Sequence, residues 1–463
     1  MSVYTGRFWR KVLLLLLLGD LCLGSFVARA AFWTTAYYPG WEQSFMPASS
    51  IDFTALTHII HFSVVPNTDG TLNSNPNSIT LANSADIVAQ AHAAGVKVLI
   101  SVGGSDSQSA FQAATTPANL PVFISNITNF MAARGYDGVD LDWEPLPNSD
   151  AAQFTNLVTR LRSALNGFTQ PKLLTAAVGA YPPYGDSATA SYQMFAALQS
   201  KFDQINLMTY DLSGPYAGWV TWFNSPIFDG GYHFPGTSQL VPSIDGAVNN
   251  FINNGVAPGR LGIGLAFYGY LWTGGSGNSP TSITQPRQSW TNAPTMADYR
   301  YTDIMAGYYQ SNLYHWDTSA QAAYISITNA NPTQNKFISY DDQRTCQCKV
   351  SYARNRNLGG VMIWNLAQDH TANSPDPLLQ EVKQALATPG LTNLQTSGND
   401  VNLNFSSIAL GSYRVQWTSR LTAGVWNTLM VTNVTGTGGI LQIIDSGVIT
   451  NQPQRFYRVK TPP

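Results

Sequence analysis

The sequence predicts an α/β protein. We read a (β/α)8 barrel with a small α+β insertion between its seventh and eighth strands, followed by an all-β sandwich. Three observations carry this reading. Eight strand-like runs alternate with helical patterns within residues 31–388, the signature of a parallel sheet closed into a barrel. An oversized connection of about 271–336, rich in Tyr and Trp, separates the last two runs, and loops of that length are usually functional or small subdomains. After Thr388-Pro389-Gly390 helical periodicity stops and short alternating strands take over to residue 463.

The first run, 32–41, is aromatic and ends in Pro39-Gly40-Trp41. Residues 56–65 are almost continuously apolar, as a strand buried on both faces requires. A helix over 84–94 leads to a strand over 97–104 that exits through Gly103-Gly104, and a helix over 121–134 leads to the acidic strand 136–145. Helix 151–165, strand 173–180, helix 192–198, strand 204–211, helix 244–254, strand 260–269, strand 359–366 and helix 377–386 complete the barrel. In such barrels the chemistry sits at the C-terminal ends of the strands.

The acidic strand organises the functional reading. Successive strand side chains point to opposite faces, so Asp140, Asp142 and Glu144 share one face and Val139, Leu141 and Trp143 the other. Buried carboxylates are costly unless protonated, paired or hydrogen-bonded. With 26 Asp and Glu among 463 residues, roughly 0.005 octets carrying acids at these four positions (Asp137 included) are expected by chance, so the pattern is read as functional. Asp137 has the opposite parity and reads as a supporting group that bonds backbone at the strand entry.

Charged residues make up only 11% of the chain, which suits a neutral polar surface. Outside the first residues there is no basic run, so nucleic acid is not an expected partner. Residues 1–30 read as a secretory signal: Arg7, Arg10 and Lys11, then an apolar run, then Ala28-Arg29-Ala30 as the cleavage site. Cleavage removes four cations and one acid, moving the net charge from −2 to −5. The apolar run is short and broken by Asp20, so no stable membrane association is expected. Cys22 leaves with the signal. Cys346 and Cys348, one residue apart, are read as free or surface thiols. The six histidines show no metal-ligand spacing, and His58 and His61 are read as satisfied barrel residues. No metal and no cofactor is expected, and a monomer is.

The acidic strand, with Ser101-Val102-Gly103-Gly104 one strand earlier, Met208-Thr209-Tyr210-Asp211, Phe267-Tyr268-Gly269 and Gly360-Val361-Met362-Ile363-Trp364, resembles the motif set of glycoside hydrolase family 18, the chitinase family. The resemblance covers roughly residues 31–388 in the right order. Many members have Tyr where Pro145 stands, Arg where Tyr270 stands, and an acid where Asn365 stands, all positions that shape the cleft.

The resemblance implies hydrolysis of β-1,4 bonds between N-acetylglucosamine units of chitin, with retention. The sugar's own acetamide oxygen attacks C1, an exception to the usual two-carboxylate scheme. Glu144 becomes the general acid and base, and Asp142 orients the acetamide. Asp140 could share a proton with Asp142, the set titrating together. Tyr210 donates to the acetamide oxygen, and Asp211 and Met208 shape the pocket. Trp364 forms the floor under the sugar, with Tyr37 and Phe62 supporting it. Ser101 bonds Asp140. Trp41, Trp219 and Trp222 are weaker candidates for further sugar contacts, and Trp417 or Trp426 for a sugar contact on the sandwich. Two alternatives stay open: an endo-β-N-acetylglucosaminidase acting on N-glycans, and a non-catalytic chitin-binding lectin on the same barrel.

Overall fold

Parallel pairing runs without a gap around eight strands: β1 (Trp33–Pro39), β2 (His58–Pro66), β3 (Lys97–Gly104), β4 (Gly138–Trp143), β5 (Leu173–Gly179), β6 (Gln204–Met208), β7 (Leu261–Ala266) and β8 (Gly360–Trp364). β8 pairs with β1 and β1 with β2, which closes the (β/α)8 barrel. The computed structural model describes residues 32–183, 186–276, 283–371 and 376–386, and parts of 391–460. The signal reading of residues 1–30 and the boundary at 388–390 lie outside the described residues. Among the described residues no helix is long and apolar enough to cross a membrane.

The two faces of each strand meet different surroundings. Val139, Leu141 and Trp143 point outward and join Ile127 and Met131 of the helix Leu120–Ala133 and Phe154, Leu157 and Leu161 of the helix Ala151–Asn166 in one core. Inside the barrel mouth a second apolar cluster gathers Tyr37, Phe62, Ala177, Tyr210, Tyr268 and Met362, with Trp364 and Met208 packed against it. The acids of β4 face this inner side. The Gly-Gly exit of β3 is required by that arrangement. Gly103 has φ +115°, and a Cβ there would sit 2.0 Å from the Asp142 carbonyl oxygen, so only glycine lets β3 lie this close to β4.

Asp137 does what its parity suggests. Its Oδ2 accepts from the Val98 amide at 2.9 Å and faces His92 Nε2 at 2.8 Å, while Lys97 Nζ reaches Oδ1 at 3.1 Å. Burial would raise this carboxyl, but the Val98, His92 and Lys97 bonds win and hold it below the usual range. The two barrel histidines are also satisfied. His58 Nδ1 meets Thr57 Oγ1 at 2.8 Å and Gln204 at 3.1 Å; His61 meets Tyr136 at 2.7 Å and Gln43 at 3.0 Å. Burial pushes His61 down to about 3.

The structure departs from the sequence expectation in four places. The run 260–269 is not one strand: β7 ends at Ala266, and Tyr268–Thr273 already belongs to a five-stranded antiparallel sheet. That sheet orders Thr295–Arg300, Tyr268–Thr273, Lys336–Tyr340, Ala322–Ile327 and Tyr314–Asp317 side by side. Strand β6 stops at Met208, so Tyr210 and Asp211 stand in the loop beyond it, with Asp211 at φ +58°. Two helices, Gln108–Ala114 and Gln343–Asn355, carry no amphipathic pattern that the sequence reading separated from loop. The second holds both remaining cysteines. They are free, but Cys346 is fully buried, not a surface thiol.

Beyond the barrel, strands Leu391–Ser397, Asp400–Ser406 and Ile440–Asp445 form one antiparallel sheet, and Ser412–Thr418 pairs with Phe456–Lys460 in another. Val401, Leu403 and Phe405 of the first meet Tyr413 and Val415 of the second in a shared core. Trp417 and Trp426 are not in that core. The guanidinium of Arg455 covers Trp417 at 3.7 Å and that of Arg458 covers Trp426 at 4.1 Å.

Candidate active site

Asp140 is fully buried and tied on both oxygens. Tyr37 Oη of β1 and Ser101 Oγ of β3 donate to Oδ2 at 3.0 Å each, and Thr175 Oγ1 of β5 donates to Oδ1 at 2.6 Å. Burial pushes its carboxyl up to about 6, with the three hydroxyl bonds pulling the other way. Those three hydroxyls already occupy both oxygens of Asp140, and its charge still raises Asp142 beside it.

Asp142 is buried, with Oδ1 lacking a hydrogen-bond partner. Burial holds its carboxyl well above the ordinary range, and the charges of Glu144 and Asp140 add to that. Glu144 stands one residue past the strand, half-buried. Its amide donates to Ser107 Oγ at 3.1 Å, and its carbonyl accepts from the Gln108 amide at 3.0 Å. Those anchors come from the start of the unforeseen helix Gln108–Ala114. Burial raises the Glu144 carboxyl as well; Asp142 pulls it down, and the charges of Asp211 and Asp106 push it up. Both carboxyls are thus raised, and neighbouring acids that act on each other titrate as a pair rather than singly.

Tyr210 is buried over the same site. Its hydroxyl donates to Met362 Sδ at 3.7 Å, a weak partner that leaves the group ready for a better one. Burial raises its phenol, with the charges of Asp211, Asp142, Glu144 and Asp140 behind. Asp211 accepts from both Tyr268 and Tyr270, the latter at 2.7 Å, and its carboxyl is raised by burial. Tyr270 thus fills its position by holding an acid.

Trp364, Phe62 and Tyr37 pack together at the barrel mouth. Phe62 meets Trp364 edge-on at 4.8 Å between centroids, and Tyr37 lies 5.6 Å from Trp364. Tyr37 therefore serves both the floor and Asp140. Trp41 is 42% exposed and abuts Phe62 at 5.9 Å, which keeps it at the rim of the site. Trp222 is fully buried beneath Tyr232 and Phe223 and is a packing residue. Trp219 packs on Phe234 at 4.9 Å. A cavity of about 230 Å³ opens beside Glu144, walled by Pro145, Leu146, Ala177, Tyr181, Met194 and Met208.

A row of acids and a cluster of aromatic rings are gathered at one barrel mouth, and residues 34–369 match the model of Glycosyl hydrolases family 18. The chain belongs to this family. Among curated members it is 27% identical over 388 residues to chitinase A1 of Niallia circulans, covering 76% of this chain and 53% of that protein. It is 28% identical over 361 residues to the class V chitinase of Arabidopsis thaliana, covering 74% and 86%. The chain thus spans about half the length of the first of these. Among solved structures, Ostrinia furnacalis Group IV chitinase in complex with allosamidin shares the fold with a TM-score of 0.64 at 23% identity, covering 77% of this chain and 98% of that one.

Several residues bonded to the candidate site or to its neighbours had no sequence signal. Thr175 sits in an apolar strand, and its bond to Asp140 needs the β4–β5 register, Asp140 opposite Thr175. Asn224 and Ser225, which bond the backbone of Asp211 and Thr209, and Lys349, which bonds Ser225, come from a loop and a polar helix far along the chain.

Proposed function

We propose that this chain is a chitinase, exported behind residues 1–30, that cleaves β-1,4 bonds between N-acetylglucosamine units with retention. The observation that carries the reading is a buried Asp142 oxygen that has no donor of its own, beside Glu144 just past the end of the same strand, with burial raising both carboxyls. A sugar bound over Trp364 offers that oxygen its acetamide N–H. The acetamide oxygen attacks C1 while the C1–O bond to the leaving sugar breaks and Glu144 gives its proton to the departing oxygen. The cyclic cation keeps its N–H on Asp142, and Tyr210 steadies the acetamide oxygen. Glu144, now ionised, takes a proton from water as the water attacks C1 and opens the ring. The general acid thereby returns to its starting state.

Two inversions at C1 leave a β product. A chitin hexamer digested in an NMR tube should therefore show β-anomeric reducing ends first, with α signal growing only by mutarotation. Initial α product overturns the mechanism. Cleavage of a high-mannose glycoprotein with the hexamer untouched moves the substrate to N-glycans. Binding without any cleavage leaves the lectin reading.

A further inference from the structure

Tyr210 stands in a loop, beyond the last ladder bond of β6, yet its backbone is gripped on both sides. The carbonyl before it, on Thr209, accepts from Ser225 Oγ at 2.5 Å. The amide after it, on Asp211, donates to Asn224 Oδ1 at 2.8 Å. The two gripping residues are consecutive and both buried. Asn224 adds a third hold, its carbonyl accepting from the Leu212 amide at 2.9 Å, and is itself fixed by its amide donating to Ser339 Oγ at 2.8 Å.

Behind Ser225 lies a wholly buried ion pair. Lys349 of the helix Gln343–Asn355 donates to Ser225 Oγ and to Asp341, and Asp341 accepts from the Ala266 amide at the end of β7 at 3.0 Å. An ammonium can only donate. With Lys349 on its oxygen, the Ser225 hydroxyl must send its own proton elsewhere, and Thr209 is where it goes. The pair therefore fixes the direction of the hydroxyl that holds Tyr210.

A buried ion pair is weak evidence for stability, because taking both charges out of water offsets most of their attraction. Its place here argues for geometry instead. We infer that Asn224, Ser225 and Lys349 are positioning residues that hold the Tyr210 hydroxyl in register with the Asp142–Glu144 pair. This rests on the role of Tyr210 proposed above.

The test is a kinetic cycle on a chitin tetramer, using the full chain. Ser225→Ala should lower kcat at least tenfold and leave KM within about threefold, since small misplacements cost rate more than binding. In a Tyr210→Phe background the same change should cost less than twofold, because the group it positions is already gone. A merely structural serine would lower kcat by equal factors in both backgrounds, and that result overturns the inference, as does an unchanged kcat in Ser225→Ala. Asn224→Ala leaves the ion pair intact and should behave alike, so it carries the test if Ser225→Ala does not fold. Full activity in Tyr210→Phe alone would instead sink the role of Tyr210, and this inference with it.

Discussion

Glu144→Gln is expected to bind a chitin tetramer as the parent does and to turn it over about 10²–10⁴ times more slowly, the usual worth of a positioned acid and base. The amide keeps the volume of the side chain and can still donate to Asp142, so the fold and the half-buried setting of residue 144 should survive. What it cannot do is release a proton to the departing oxygen or accept one from water. Both halves of the reaction need that exchange, so no leaving group rescues the variant fully. Calorimetric titration with the tetramer would establish binding, and product chromatography would give the rate. Turnover within tenfold of the parent would remove Glu144 from the chemistry and with it the proposed reaction.

The acidic strand was legible because strand parity is a geometric rule. Once Val139, Leu141 and Trp143 are assigned to the helix side, Asp140, Asp142 and Glu144 must face the barrel mouth. Asp137 was legible for the same reason, by its opposite parity. Tyr210 was recognisable by motif, but its place outside β6 was not, because Met208-Thr209-Tyr210-Asp211 continues the apolar run that defines the strand. The break after Ala266 was hidden likewise: Phe267 to Gly269 read as more of the same strand, and only pairing with Lys336–Tyr340 assigns Tyr268–Thr273 to another sheet. Long-range partners were beyond reach in principle. Nothing local marks Lys349 as the cation that meets Ser225 across 124 positions of chain. Periodicity reports which face a residue takes, and register between distant segments decides whom it meets.

Asp142→Asn separates charge from shape at the second acid, and pH is the coordinate that exposes the difference. Asparagine still offers an oxygen to the acetamide N–H, so binding should change little. The negative charge opposite the developing cation is lost, and kcat on the tetramer should fall about 10²-fold, the scale seen when one preorganised electrostatic partner is removed. The shift in the pH profile has a definite sign. In the parent, ionising Glu144 beside Asp142 brings a second negative charge into a buried pair, and burial with that repulsion keeps the shared proton on above the ordinary carboxylate range. The alkaline limb of kcat/KM, which reports loss of that proton, therefore lies above the usual Glu value of about 4.3. With asparagine at 142 one carboxyl is left where there were two, the repulsion that holds the last proton of the pair is gone, and the alkaline limb moves to lower pH. Residual activity would then persist only on the acid side. An alkaline limb that stays in place, or moves up, would mean that Glu144 titrates independently of Asp142. The two acids would then be neighbours without sharing a proton.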